Sequence, residues 1–219
     1  FFWISTPEGL NRYDGSINSI FKTNPFDSTT LSNNLIFEAF QINNNGVYIK
    51  STSNLDYFSY SSNSFLRTGV SSPIYHTRSD DNLFITSKND GVYILNLNDL
   101  SSLNLKFDPR NPLSISSSNF STNQNEVILK VNEDLWIGTS YGLNKYNLNS
   151  NLNKRFYETK DSKTLNSNYI NDLFFVDKKF SSGKIAIANK ILAATQNGLA
   201  IINPENNEIS NYNSLKNTN

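Results

Sequence analysis

The chain has 219 residues, enough for one domain or a small pair of domains with a substantial buried core. Its 19 Lys and Arg residues balance 19 Asp and Glu residues, so the sequence has no electrostatic footprint for nucleic acid or an anionic membrane. Aromatic residues make up 13% of the chain, which excludes a disordered protein. The sequence lacks cysteine and any long apolar run, which excludes disulfides, thiolate chemistry and direct membrane insertion of this segment.

Asparagine and serine, with 37 and 30 residues, make up nearly a third of the chain. Both residues favour turns and local hydrogen bonds to the backbone, so we expect no long helix. The chain begins at Phe1, and the residues that follow include neither a basic region nor a long apolar stretch. We interpret the sequence as an excerpt or a processed product without a signal peptide or an anchor.

A sequence repeat is the most informative feature. Residues 2–14 recur as residues 135–147, and weaker copies lie at 47–55, 83–94 and 191–199. Each copy has a β-branched and aromatic run, a turn and a second apolar run, which predicts a β-hairpin. In four copies the turn residue follows six positions after an apolar residue, in the pairs Trp3–Gly9, Tyr48–Asn54, Trp136–Gly142 and Leu192–Gly198.

The turn residue is predicted to have a positive φ angle, which glycine adopts freely and asparagine tolerates. Asn54 would therefore replace glycine in the second copy. In the remaining copy Phe84 and Gly91 are seven positions apart, which predicts a turn one residue longer.

A second motif, rich in Pro, Asp, Asn and Ser, follows three of the hairpins and predicts a long loop. Each copy of the loop contains a leucine at a nearly constant distance from the hairpin. Leu31 lies 28 positions after Trp3, whereas Leu113 lies 29 positions after Phe84 and Leu165 lies 29 positions after Trp136. With the short apolar runs on either side, a complete unit contains four strands. The segment 177–190 reads as an insertion at a hairpin tip.

Four-stranded units of about 40–45 residues without helix are typical of β-propeller blades. We predict an all-β fold, a β-propeller of four-stranded antiparallel blades, with about five blades present out of seven. The first unit lacks its leading strand, so nineteen strands are expected. The predicted blade units within this single domain are 1–34, 35–71, 72–118, 119–168 and 169–219.

The motif Leu135-Trp136-Ile137-Gly138-Thr139, followed by Gly142-Leu143-Asn144-Lys145-Tyr146-Asn147 and the Pro/Asn/Ser loop, resembles the two-component regulator propeller repeat. Members of this family are periplasmic sensor regions of hybrid two-component systems and sensor histidine kinases of Bacteroidetes. The resemblance implies two seven-bladed propellers, an immunoglobulin-like domain, a transmembrane helix and a cytoplasmic kinase in the whole protein, with glycan fragments as ligands. It implies a periplasmic or cell-surface location for this region.

Only structural positions carry over from the family, because its ligand contacts lie on variable loops. The residues that match blade-building positions of the family are Trp3, Gly9, Tyr13, Trp136, Gly142, Tyr146 and Gly198. We add Asn54 and Gly91 as the structural turn residues of the two other copies. The favoured interpretation is a non-catalytic ligand sensor. Its expected partners are an oligosaccharide, further blades of the same chain, and a second copy or another protein of an assembly.

Two alternative functions remain open at this point. The repeat also resembles propellers of cell-surface and secretion assemblies in the same phylum, which act as docking scaffolds. A propeller glycosidase or lyase is the third reading and would require carboxylates that converge on one face. Turnover of a glycan that depends on such an acid would favour it.

Catalytic and metal-binding patterns are sparse. His76 is the only histidine, and we expect it to be structural or exposed. The pairs Asp80–Asp81 and Glu133–Asp134 each precede a strand and read as turn entries, since adjacent strand residues face opposite ways. We therefore predict no catalytic residues, no metal site and no cofactor.

Exposed tyrosines are the remaining candidates for ligand contacts. Aromatic rings can stack on the apolar face of a pyranose, and asparagine amides offer both donors and acceptors to sugar hydroxyls. We name Tyr75, Tyr141 and Tyr157, expected in loops, as candidate ligand-binding residues.

Overall fold

The computed structural model describes residues 1–120, 127–177 and 187–212. In these ranges the chain is all β, and none of their residues forms a helix that could span a membrane. Much of the insertion predicted at 177–190 lies outside the described residues. The strands are β1 Phe2–Thr6, β2 Gly9–Tyr13, β3 Asn18–Phe21, β4 Ile36–Phe40, β5 Gly46–Ser51, β6 Asn54–Ser59, β7 Ser64–Ser71, β8 Pro73–Ser79, β9 Asn82–Ser87, β10 Gly91–Asn96, β11 Ser102–Leu105, β12 Ile128–Val131, β13 Asp134–Thr139, β14 Gly142–Asn147, β15 Asn153–Phe156, β16 Ile170–Val176, β17 Lys190–Thr195, β18 Gly198–Ile202 and β19 Ile209–Tyr212.

The strands of the described residues form five sheets in which consecutive strands are neighbours. The first sheet, β1–β3, has three strands, and the sheets β4–β7, β8–β11, β12–β15 and β16–β19 have four each. This confirms the predicted fold class, a β-propeller built from four-stranded antiparallel blades, and the missing strand of the first blade. The seven-blade total and the exact unit boundaries stay predictions.

In four of the five blades the central hairpin has the predicted turn geometry. The turns 7–8, 140–141 and 196–197 join strands that end at a threonine and restart at a glycine with positive φ. The turn 88–90 is one residue longer, as the seven-residue spacing predicts. In the paired strands, Trp3 lies opposite Arg12, and Trp136 lies opposite Lys145.

Gly142 shows why this turn needs glycine. Its φ is 119°, and a Cβ atom on it would lie 2.6 Å from the carbonyl oxygen of Phe156. Asn54 begins β6 at the equivalent point, but it is not among the residues with positive φ. The positive φ predicted for Asn54 is therefore wrong. One local hydrogen bond is nevertheless retained, because Ser51 Oγ donates to the Asn54 carbonyl as Thr139 Oγ1 donates to the Gly142 carbonyl.

The chain divides into two compact units. The first comprises Phe1–Pro73, Asp81–Leu83 and Tyr93–Leu103, and the second comprises Ile74–Asp80, Phe84–Val92 and Asn104–Asn219. In the first unit, the β1–β3 and β4–β7 sheets share one apolar core. Its buried residues, against which Trp3, Phe21, Ala39 and Tyr60 pack, are Leu10, Leu31, Ile36, Val47, Ile49, Phe58 and Phe65.

The second unit repeats this arrangement between the β12–β15 and β16–β19 sheets. Trp136 is fully buried there and stacks on Phe156, with ring centroids 5.7 Å apart. Trp3 is half-buried and stacks on Phe21 at 5.9 Å. Each of the two stacked pairs lies within one sheet, and burial of one such side chain contributes about 1.5–3 kcal/mol. The two tryptophans thus share the same stacking arrangement within their sheets, although they differ in burial.

The remaining repeat positions differ in burial. Tyr146 is buried, and its hydroxyl donates to Asn151 Oδ1, whereas Tyr13 is 38% exposed and donates to the carbonyl oxygen of Gly15. Gly198 begins β18 with a φ of 118°. Burial raises the pKa of Tyr146 above the ordinary value of 10.0.

The long loops dock an aliphatic side chain into the core. Leu31 and Leu165 are buried, as their positions in the motif imply, but Leu113 is 49% exposed. Ile115 is buried instead. The hydrogen bonds explain the difference, because the Asp108 N–H donates to Ser114 Oγ just as the Asn24 N–H donates to Thr30 Oγ1. Ile115 is therefore the true equivalent of Leu31, and the predicted equivalence of Leu113 is wrong.

The residues weighed as catalytic candidates occupy structural positions. His76 lies in β8 and is half-buried. Asp80 is in the turn before β9 with a φ of 52°, and its carboxylate is 3.0 Å from Lys130 Nζ. Asp134 begins β13 and pairs with Lys145 Nζ at 3.0 Å. These contacts agree with the reading of both acidic pairs as turn entries.

Candidate functional site

A cleft of about 600 Å³ lies in the first unit, and we call it the turn cleft. Three turns form its walls: the β4–β5 turn, the β6–β7 turn and the β10–β11 turn. Antiparallel pairing brings the first two turns to the same end of their sheet. The residues that line the turn cleft are Asn43, Asn44, Asn45, Tyr57, Ser59, Tyr60, Ser61, Leu66, Leu97, Asn98, Asp99 and Leu100.

Two tyrosines contribute aromatic surface to the turn cleft. The Tyr57 ring lies against the backbone of Gly46, where any Cβ atom would overlap the ring. Burial raises the pKa of Tyr57 above its ordinary value of 10.0, so this phenol stays neutral at physiological pH. The Tyr60 N–H donates to the Asn45 carbonyl at 2.9 Å, and its hydroxyl accepts from Trp3 Nε1 at 3.3 Å. Both rings are therefore held by the core of the unit.

The asparagine-rich turns are held by their own side chains. Asn43 Oδ1 accepts from the Asn45 N–H at 3.0 Å, and the Gln41 side-chain amide donates to the Asn43 carbonyl at 2.8 Å. In the opposite wall, Asn96 Oδ1 accepts from the Asn98 N–H at 2.8 Å. Such side chain to backbone bonds fix a turn without a helix or a sheet ladder. The walls of the turn cleft are thus preorganised.

The β10–β11 turn also supplies the charge of the turn cleft. Asp99 Oδ1 accepts from the Ser101 N–H at 2.8 Å and from the Ser101 hydroxyl at 2.6 Å. These hydrogen bonds hold the pKa of Asp99 below its ordinary value of 3.8, so the carboxylate is ionised at neutral pH. Among the residues that line the turn cleft, Asp99 is the only one that carries a charge.

The chemistry of the turn cleft suits a polyhydroxylated ligand. Asparagine amides and serine hydroxyls present donors and acceptors, and the leucines and tyrosines present apolar surface between them. Among the described residues, no group of three or more His, Cys, Asp or Glu side chains could hold a metal ion.

The three predicted ligand-binding tyrosines lie elsewhere. Tyr141 is 64% exposed in the β13–β14 turn, and Tyr157 is 40% exposed directly after β15. The Tyr157 ring lies beside Gly142, so the structure brings these two tyrosines to the same turn. Tyr75 lies in β8 and not in a loop, where it is half-buried beside a small cavity of about 220 Å³. Their role in binding stays a prediction.

Sequence reasoning missed the turn cleft because its walls are far apart in the chain. Tyrosine and asparagine were the residue types expected at a sugar site, and the run Asn43–Asn45 before Gly46 is a visible turn signal. Which turns come together depends on the packing of the sheets, which the repeat spacing does not specify.

Solved structures share this fold. The extracellular domain of BT3049, assigned as a hybrid two-component system of B. thetaiotaomicron, is 22% identical with a TM-score of 0.50, over 94% of this chain and 26% of that chain. Two structures of the extracellular domain of BT4673 from B. thetaiotaomicron, assigned as a one-component and a hybrid two-component system, have TM-scores of 0.58 and 0.53 at 18% and 19% identity. Each match covers 96% of this chain and 26% of that chain.

This chain has the fold of those extracellular domains. It spans about a quarter of their length, since each match covers 26% of the other chain. No protein-family model matches the chain, and no curated protein matches its sequence.

Proposed function

We propose that this chain is part of the extracytoplasmic sensing region of a two-component signalling receptor, and that it binds an oligosaccharide in the turn cleft. The region is a non-catalytic binding module that belongs to the two-component regulator propeller repeat family. The shared fold with extracellular domains of two-component systems supports the location and the signalling role. Further blades of the same chain would complete the propeller.

The turn cleft is the observation that carries the choice of ligand. Its volume of about 600 Å³ is within the range of small-molecule sites. The preorganised Asn43–Asn45 turn and the rings of Tyr57 and Tyr60 provide the amides and apolar surface that a sugar requires. A ligand that binds one conformation of the receptor more tightly would shift its equilibrium and so produce a signal.

Calorimetric titration of the protein with a panel of oligosaccharides tests the proposal. Asn98 is exposed, and only its backbone takes part in the bonds of its turn, so Asn98→Ala should weaken binding about two- to tenfold without unfolding the protein. Asn149→Ala is the matched control. Asn149 occupies the same turn position in the β12–β15 blade, where its N–H donates to Asn147 Oδ1 at 3.2 Å. Equal affinities of both variants, or no binding across the panel, would contradict the proposal.

A further inference from the structure

The β10–β11 turn is one of three equivalent turns among the described residues. The bond from the Leu100 N–H to the Asn96 carbonyl recurs from Asn151 to Asn147 and from Asn207 to Asn203. In each turn the first asparagine side chain also accepts a backbone N–H from within the turn. These turns can therefore be compared position by position.

Two positions of the β10–β11 turn depart from the other two turns. Where the equivalent turns have Ser150 and Asn206, this turn has Asp99. Leu100 has a φ of 61°, whereas the residues with matching φ angles, 57° and 63°, are Asn151 and Asn207. Asparagine tolerates this left-handed conformation, but leucine is strained in it.

Neither departure is required by the fold. The same turn closes with serine or asparagine in place of Asp99, and with asparagine in place of Leu100. Both residues line the turn cleft. Strained backbone conformations concentrate at binding sites, where the local cost is retained because the side chain has another role.

We infer that Asp99 and Leu100 adapt this turn to recognise a saccharide that bears a protonated amine. Asp99 supplies a carboxylate that pairs with an ammonium group and repels a uronate or a sulfate. The hydrogen bonds of Asp99 within the described part of the chain use Oδ1, which leaves Oδ2 to a ligand. Leu100 supplies an apolar surface against which a sugar ring can pack. This inference rests on the proposed binding of an oligosaccharide in the turn cleft.

Titration at mildly acidic pH with three matched oligosaccharides tests the inference. The probes are oligomers of glucosamine, N-acetylglucosamine and galacturonic acid, which are cationic, neutral and anionic. We expect the glucosamine oligomer to bind most tightly and the galacturonic acid oligomer most weakly. Asp99→Ser, which copies the turn with Ser150, should weaken glucosamine binding about two- to fivefold and leave the neutral oligomer unaffected.

Leu100→Asn copies the two other turns and separates binding from folding. It should raise the midpoint of thermal unfolding, because the strain at this position is relieved, and weaken all three saccharides about two- to tenfold. A lower midpoint or unchanged affinity would overturn the role of Leu100. Binding of a saccharide that is insensitive to Asp99→Ser would overturn the charge preference and leave the proposed function intact. The absence of binding by any oligosaccharide of the wider panel would instead refute the proposed function together with this inference.

Discussion

Lys145 lies over the indole ring of Trp136, with its Nζ atom 5.3 Å from the ring centroid. Arg12 stands in the same relation to Trp3, with its guanidinium carbon 5.8 Å from that ring. In both blades the basic residue is the cross-strand partner of the tryptophan. The repeated sequence motif therefore encodes a repeated contact. A cation from the neighbouring strand covers the indole ring, and an aromatic residue from the strand beyond it stacks on the same ring.

Replacement of Trp136 tests the central role of this contact. Trp136 is fully buried, so Trp136→Ala should lower the free energy of unfolding by about 3–5 kcal/mol. Trp3→Ala should cost less because Trp3 is half-buried. Urea denaturation of both variants provides the comparison. Equal losses of unfolding free energy in the two variants would contradict the expected dependence on burial.

Lys145 should be important for stability because its surroundings are largely closed to solvent. Its Nζ is 3.0 Å from Asp134 Oδ2 and donates to the Pro204 carbonyl at 2.8 Å, and the Lys145 side chain is 16% exposed. We expect Lys145→Met to lower the free energy of unfolding by about 1.5–3 kcal/mol, measured by urea denaturation.

Lys22→Met is the control for Lys145→Met. Lys22 is 3.9 Å from Glu8 in an ion pair whose side chains are 56% and 88% exposed. An exposed pair contributes little, so the expected change is within about 0.5 kcal/mol. A loss as large as that of Lys145→Met would argue against a special role for the buried contacts.

The glycine at the hairpin turn can be tested by adding a single methyl group. At Gly142 this group would meet both an unfavourable φ and the carbonyl oxygen of Phe156, so Gly142→Ala should cost about 2–4 kcal/mol. Gly15 also has a positive φ, of 101°, but open space around its Cβ position. Gly15→Ala should therefore cost about 1–2 kcal/mol. Thermal unfolding of the two variants separates backbone strain from steric overlap, and equal costs would contradict the clash at Gly142.

The ion pair between Asp80 and Lys130 predicts a pH dependence. A hydrogen bond from Lys130, and then its charge, hold the pKa of Asp80 below the ordinary value of 3.8. The folded state thus favours the carboxylate. The ion pair therefore contributes its full stabilisation at pH values above 3.8, the ordinary pKa of the carboxyl group. This stabilisation is lost as the pH falls through the lower pKa that Asp80 has in the folded state.

The variant Asp80→Asn removes this contribution and keeps a residue that tolerates the φ of 52°. We expect the variant to unfold at a lower temperature than the parent protein at neutral pH. The difference should shrink as the pH falls below 3.8, and also at high salt, which screens an exposed pair. A difference that is constant from neutral to acidic pH would exclude the ion pair as its cause.

The sequence was sufficient for the blade and its central hairpin. The six-residue interval from Trp136 to Gly142 specifies the end of one strand, the turn and the start of the next, because these are local features of the chain. The longer interval before Gly91 gave the longer turn for the same reason. The predicted equivalence of Leu113 with Leu31 was wrong because it relied on both residues being leucine. The hydrogen bonds of the loop instead place Ile115 at the position of Leu31.

The sequence by itself determined the all-β class, the four-stranded unit and the position of each central hairpin, since strand pairing between adjacent segments depends on short-range alternation and turn residues. Only the tertiary structure decided which side chains meet. Asn43 and Asp99 line one cleft because two sheets pack their turns together, and that packing depends on side-chain volumes along whole sheet faces. The sequence repeat therefore could not predict the candidate binding site, although it indicated each of the turns that form the site.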